Sequence, residues 1–460
     1  MENSYVKKSV KLGDSEIISF LRSSELPFLA YLNPWIFIFE VLKGANRLHI
    51  PIDLREYVFN AMQGMFARMC YRLFQWGYEE EYLRGFIRTS LFHYLVLRNV
   101  YRNNNWVTKK ELLIQGLPPE FRVNCALVLN DSRNMKDYYG MLICTHDDLK
   151  QLIKTSGFET KEVVVPNPEL FDRGKYSDSW GKYDSISTLQ GEMQKLTPYL
   201  DLAFVHGSFA TQDFAKGSDL DCAVFLNPSV FQDTKTVERV SKELTRLSLI
   251  GYKIDVMAHH RLSIFTDVDL MYYPESRTPK VLFEYGVSLW KRNEQIRINL
   301  RNDDVERMQD FWSRLYYFRN KLRQNNFSTN ILSWKADVSH ITFVPALALQ
   351  AIDIHVYKKY SFDLVKEHFP NVDWSIIDEA SQYRNEWGDT INLLRYYPNR
   401  LIMSMPYRVN KAIYERARMA ANKKTRIPDR KVIEVFTRRA YELLERVWEE
   451  ILRRKGVINA

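Results

Sequence analysis

The stretch "LDLAFVHGSFATQDFAKGSDLDCAVFL", residues 200–226, constrains the chain more than any other feature. Two short apolar runs, Leu202 to Val205 and Leu220 to Leu226, read as strands. The first runs directly into His206-Gly207-Ser208. A glycine straight after a strand lets the backbone turn tightly and approach a ligand. Backbone N–H groups at such a turn, above all at a helix N-terminus, cradle phosphate oxygens. The Ser208 hydroxyl can add a hydrogen bond. Asp219 and Asp221 stand one residue apart where the second run starts. Side chains alternate across a strand, so the two carboxylates share a face. They repel each other unless a cation lies between them, and a hard ion such as Mg²⁺ accepts such oxygen ligands.

A further run, Tyr252 to Met257, reads as a third strand and carries Asp255 between Ile254 and Val256. A carboxylate on a core-like strand needs a partner, because an isolated buried charge is costly. With that strand beside the one bearing Asp219, three carboxylates converge and can hold two divalent ions. A phosphate cradle plus a carboxylate clamp describes phosphoryl-group chemistry, with little need for a protein nucleophile. Lys216, between the two motifs, can reach a phosphate as a point charge; a solvated loop lysine reads equally well.

"HGSFATQDFAKGSDLDCAVFL" resembles the signature of the DNA polymerase β-like nucleotidyltransferase superfamily. An apolar strand leads to Gly-Ser, the ten residues Phe209 to Ser218 follow, and Asp-x-Asp opens the next strand. Ser218 directly before Asp219 matches the common form. "YKIDVMAHH" resembles the strand with the third acidic residue, Asp255. "TPKVLFEYGVSLWKR" resembles the helix and glycine turn that close the domain in small members. One departure is Gln212, where many small members carry a glycine.

The resemblance, over roughly residues 186–292, implies an α/β (α+β) core with a mixed sheet. It implies transfer of an NMP from an NTP to a hydroxyl acceptor with release of pyrophosphate, dependent on Mg²⁺ or Mn²⁺. Asp219, Asp221 and Asp255 would be catalytic and metal-binding; Gly207, Ser208, Lys216 and Ser218 would hold the nucleotide. Acceptors in the superfamily include nucleic-acid ends, antibiotics, proteins and nucleotides. A different class of reading is a catalytically silent nucleotide- or RNA-binding regulatory module, for example of a defence or toxin–antitoxin pair.

Mainly helical regions flank this core, giving expected domains at 1–165, 185–300 and 301–460. Val58, Met62, Met65, Met69 and Leu73 recur at helical spacing. A second helix starts near Tyr82. Tyr139 to Thr145 reads as a strand and Asp147 to Ile153 as a short helix. Residues 165–184 read as a linker. A helix through Ile186, Leu189, Met193 and Leu196 takes Asp184 or Ser185 as its cap. Another carries Val237, Val240, Leu244 and Leu247, with Gly251 to end it. The clearest C-terminal helix holds Val432, Val435, Phe436, Ala440, Leu443, Val447 and Ile451.

At 460 residues the chain exceeds one ordinary core, and 46% apolar residues exclude a disordered chain. Cys70, Cys125, Cys144 and Cys222 form no metal-spaced pair, so neither a zinc site nor a disulfide framework is expected, and a reducing, cytoplasmic setting fits. Met1 to Asp14 does not read as a signal peptide. Leu26 to Leu42, broken by Pro27, Asn33, Pro34 and Glu40, reads as core and not as a membrane span. The net charge of +9 suits an anionic partner. Basic residues concentrate at Arg408, Lys411, Arg416, Arg418, Lys423, Lys424, Arg426, Arg430 and Lys431. This segment is expected to wall the aspartate groove and attract an anionic acceptor such as RNA; a solvated helix end is the plainer reading. His206, His259 and His260, at strand ends, read first as ordinary surface or hydrogen-bonded histidines.

Overall fold

A computed structural model of the protein describes residues 55–75, 80–103, 107–178, 181–214, 218–254, 262–293, 295–390 and 426–455, with 409, 412, 416, 419 and 420. The Leu26 to Leu42 run and the N-terminal Met1 to Asp14 lie outside these residues. So do Lys216, Asp255, His259, His260 and most of the basic 408–431 segment.

The chain opens with α1 (Arg55–Leu73), α2 (Glu80–Asn103), α3 (Lys110–Gln115), α4 (Pro119–Leu129) and α5 (Met135–Ser156). Strands β1 (Lys161–Pro166) and β2 (Glu169–Leu170) precede α6 (Lys182–Met193). Then come β3 (Leu200–His206), β4 (Asp221–Leu226), α7 (Thr234–Ile254), β5 (Ser263–Thr266), α8 (Asp267–Met271), α9 (Val281–Tyr285), β6 (Val287–Lys291) and β7 (Gln295–Leu300). The C-terminal region is helical: α10 (Asp304–Arg323), α11 (Ile331–Ala351), α12 (Lys358–His368), α13 (Ser375–Thr390) and α14 (Arg430–Arg454).

The main sheet has five strands in the order β2-β6-β3-β4-β5. It is mixed: β3 pairs antiparallel with β4 and β6, while β4–β5 and β2–β6 are parallel. Strands β1 and β7 form a separate antiparallel pair. The expected α+β core with helical flanks is the observed fold. Both faces of the main sheet are covered, which is why β3 and β4 read as unbroken apolar runs. Alternate residues serve different cores: Cys222, Val224 and Leu226 join one, Ala223 and Phe225 the other.

The core on the first face is continuous with the N-terminal helices. Phe66 of α1, Tyr94 of α2 and Leu142 of α5 belong to the same buried cluster as Val205, Val224 and Leu247. Polar side chains stitch the same boundary. Gln63 donates to the Tyr272 carbonyl at 2.8 Å, Gln75 to the Leu262 carbonyl at 2.6 Å, and Thr245 to the Phe74 carbonyl at 3.3 Å. The C-terminal helices pack around a distinct cluster that includes Phe311, Trp334, Phe436 and Leu444.

Several local expectations change. Tyr139 to Thr145 is not a strand: it lies within α5, which runs unbroken through Asp147 to Ile153. Gly251 does not end α7, which continues to Ile254. Tyr252 to Ile254 are therefore helical, and the strand beside β4 is β5. The stretch 165–184 is no featureless linker, since it holds the end of β1 and all of β2. Helix α6 starts at Lys182, whose amide donates a hydrogen bond to the Asp178 carboxylate at 2.7 Å. The cap is thus supplied earlier than Asp184 or Ser185.

Candidate nucleotidyltransferase site

The site is built where β3 ends and β4 begins. His206 and Asp221 are direct partners in the antiparallel ladder. Gly207 follows with φ +71°, a left-handed conformation that favours glycine. A side chain here is excluded for a second reason. A Cβ on Gly207 would stand 2.4 Å from Asp221 Oδ2 and 3.2 Å from its Cγ. The Asp221 carboxylate therefore lies directly against the Gly207 backbone. The sequence expectation kept these two features apart, one for phosphate and one for metal; the fold makes them neighbours. Asp219 sits two residues before Asp221, just ahead of the strand, and both are half-buried.

A short 3₁₀ turn, Gly207–Phe209, carries the chain away from β3. The Gly207 carbonyl accepts from the amides of Ala210 at 3.2 Å and Thr211 at 3.3 Å. Gln212 has φ +59°. The backbone thus adopts the left-handed turn at the very position where many small superfamily members carry glycine. A non-glycine residue there costs about 1–2 kcal/mol. Ser208 is half-buried at the turn.

The segment between the motifs is pinned from both sides. Phe209 and Phe214 stack at 4.3 Å, and Tyr183 packs edge-on against Phe214 at 5.3 Å. The Tyr183 hydroxyl donates to the Phe209 carbonyl at 2.9 Å. Lys182, only 4% exposed, donates to the Ser218 carbonyl at 3.3 Å while its ammonium lies 5.3 Å over the Phe209 ring. This buried lysine fixes the backbone immediately before Asp219.

The C-terminal helices supply the rest. Tyr357, which precedes α12, donates from its hydroxyl to the Gly207 carbonyl at 2.8 Å. Burial pushes its phenol pKa up, and the Asp221 carboxylate adds to the rise. Arg384 of α13 donates to Ser218 Oγ at 3.1 Å. Lys358 donates to Thr342 Oγ1 at 3.3 Å. Burial and the Arg384 guanidinium lower the Lys358 ammonium to about 7, against the opposing pull of Asp219 and Asp221. An arginine, a lysine of lowered pKa and a tyrosine from the C-terminal region thus face the carboxylates and the glycine turn.

Sequence reasoning missed Lys182, Tyr357, Lys358 and Arg384. The one local signal was "YKKY", residues 357–360, where aromatic and basic residues interleave. Of the residues expected at the site, the structure brings together Gly207, Ser208, Ser218, Asp219 and Asp221. Asp255 and Lys216 lie outside the described residues. Among the described residues no group of three or more metal-ligating side chains occurs. Of the basic 408–431 segment, Arg416, Arg426, Arg430 and Lys431 are described, and all four are exposed. Arg430 pairs with Glu434 along α14 at 2.8 Å.

Residues 191–266 match the family described as polymerase beta, nucleotidyltransferase. The match is a segment of the chain that runs from the last turn of α6 to the end of β5, and so contains Gly207, Ser208, Asp219 and Asp221. The chain therefore carries a polymerase β-like nucleotidyltransferase domain at its centre. No curated protein and no solved structure gives a significant match. Among the described residues no helix is long and apolar enough to cross a membrane.

Proposed function

We propose that the protein is a metal-dependent nucleotidyltransferase that moves an NMP from an NTP to a hydroxyl acceptor and releases pyrophosphate. One observation carries this reading: the Asp221 carboxylate packs against Gly207, so a metal clamp and a phosphate-binding turn would be a single unit. Asp219 and Asp221 suit a divalent cation by chemistry, since both are hard oxygen donors and both act on the same Lys358 ammonium. They would hold Mg²⁺ or Mn²⁺, with Asp255 as the proposed third ligand. Such an ion, when bound, neutralises charge on the transferring phosphate and eases loss of the acceptor proton.

The remaining work falls to the chain. The Gly207–Ser208 turn offers amides and a hydroxyl to phosphate oxygens, with Ser218 and Lys216 as further proposed contacts. Lys358 and Arg384 face the same place from the helical side and would attract and orient the leaving phosphates. Tyr357 holds the turn through the Gly207 carbonyl, so the turn stays fixed when charge arrives. Little protein nucleophilicity is needed, because positioning and electrostatics dominate phosphoryl transfer. The basic 408–431 segment remains a proposed wall for an anionic acceptor.

The test is incubation with each α-labelled NTP, Mg²⁺ or Mn²⁺, and total RNA or protein from cells. Wild type is expected to label an acceptor, and Asp221→Ala is expected to lose that labelling while still folded. Nucleotide binding by wild type with no turnover under any of these conditions would place the protein among silent binding modules instead.

A further inference from the structure

We infer that Tyr285 and Tyr360, packed on Tyr357, form a stacking ledge for the terminal nucleobase of a single-stranded nucleic-acid acceptor. The inference rests on the nucleotidyltransferase reading and deepens it by naming the acceptor class.

The three rings come from two parts of the chain. Tyr285 ends α9, just before the Gly286 turn into β6; Tyr357 and Tyr360 lie at the start of α12. Tyr285 sits 4.9 Å from Tyr357 and 5.2 Å from Tyr360, centroid to centroid. Tyr357 is buried and bonded to the Gly207 carbonyl, whose residue packs against Asp221. The ledge is therefore continuous with the carboxylate site. Its outer members are not buried: Tyr285 is 36% and Tyr360 45% exposed.

Large rings left open to solvent beside a reaction centre suit a flat partner, and every nucleobase has a π-face. Basic residues stand beside the rings, along with the carboxylates of Asp213 and Glu284. Lys358 and Lys359 lie between Tyr357 and Tyr360 in the first turn of α12. Lys359 is exposed, and its ammonium reaches the Thr211 carbonyl at 3.5 Å on the loop between the motifs. An exposed cation next to Tyr360 in the chain suits the backbone phosphate that follows a stacked base. Arg384 sits at the Ser218 end, where the triphosphate is proposed to lie. The rim is thus left for a chain end arriving from outside. Unpaired bases are needed, because a base held in a duplex keeps its faces stacked on its neighbours.

The experiment is fluorescence anisotropy of a labelled 12-nucleotide single strand, as RNA and as DNA of the same sequence, without NTP. A blunt duplex of that sequence is the comparison. Tyr285→Ala and Tyr360→Ala are each expected to weaken single-strand binding by about 5- to 100-fold. Tyr360→Phe should bind as wild type, and the duplex should respond little to any of the changes. The RNA-to-DNA affinity ratio in wild type identifies which strand is the acceptor. Unchanged strand affinity in both alanine variants overturns the ledge, as does equal damage from Tyr360→Phe. Weakened NTP affinity with unchanged strand affinity would move the ledge to the incoming nucleotide and overturn it as stated. The two readings part cleanly: wild-type transfer with tyrosine-independent strand binding sinks only the ledge. Tyrosine-dependent strand binding by a protein that never uses NTP sinks only the transferase.

Discussion

The N-terminal helices and the C-terminal helices meet the central sheet in different ways. The N-terminal helices share its hydrophobic core, so Phe66, His146 and Phe231 pack together from both sides of the boundary, with His146 and Phe231 stacked at 4.0 Å. The C-terminal helices keep a core of their own and reach the site through polar contacts: Tyr357 to Gly207, Lys359 to Thr211, Arg384 to Ser218. The first boundary is held by apolar burial, which is large and indifferent to ligands. The second is held at the site by hydrogen bonds to the very loop that is proposed to bind phosphate, and by the ring contacts of Tyr285 with Tyr357 and Tyr360. Chemistry can therefore be altered from the C-terminal side with little loss of stability, whereas changes at the N-terminal boundary act on the fold.

The largest expected effect tests the shared core. Phe66→Ala should cost about 3–5 kcal/mol, the usual loss for a fully buried phenylalanine. Hydrogen exchange should then show the amides of β3 and β4 opening together with α1. Protected strands beside an opened α1 would show that the shared core is not one cooperative unit. On the other side, Arg384→Ala removes a charge-assisted contact worth about 1.5–3 kcal/mol. It should raise the apparent Kd for NTP by about 10- to 100-fold, while the melting temperature hardly moves. A large fall in melting temperature with unchanged NTP affinity would reverse the contrast.

The N-terminal boundary also carries a buried ion pair, His146 to Asp267 at 2.6 Å, joined by Lys150. Burial alone would lower the His146 pKa, but hydrogen bonds to Asp147 and Asp267 outweigh it and raise it above 6.5. For Asp267, burial acts to raise the pKa, and the bonds to His146 and Lys150 bring it below 3.8. A raised histidine contributes stability that is full below pH 6.5 and fades as pH rises through its folded value. A lowered carboxylate contributes stability lost only in acid. Wild type should therefore lose stability between mildly acidic and alkaline pH by more than His146→Gln does. Parallel melting curves against pH for the two proteins would rule out this coupling. The smallest effect is at Gln212. Gln212→Gly should relieve the left-handed turn and raise stability by about 0.5–1 kcal/mol, read by chemical denaturation.

What was legible in the sequence was local. Gly-Ser, the ten-residue spacer and Asp-x-Asp lie within one stretch, and the two strands flanking them announce themselves because both sheet faces are buried. Two features misled. Tyr138, Tyr139, Met141, Leu142, Thr145 and His146 are all buried in α5, so the polar face that marks a helix is absent there. Gly251 looked like a helix stop, but α7 passes through it. The cationic wall was not legible for another reason. Lys358 and Arg384 stand on helices of a different core, more than a hundred residues beyond Asp221, and only the packing of that core brings them to the carboxylates. Local pattern predicts local geometry; it carries no information on which distant helix closes a site.

Asp219 and Asp221 are proposed to work with the Gly207–Ser208 turn to transfer a nucleotidyl group. Transfer from labelled NTP in Mg²⁺, measured side by side for wild type and Asp219→Ala at matched folding, tests it most directly. Wild type should label the acceptor and the variant should lose about 10³-fold or more, the scale expected when a group central to charge stabilisation is removed. Equal transfer by the two proteins would contradict it.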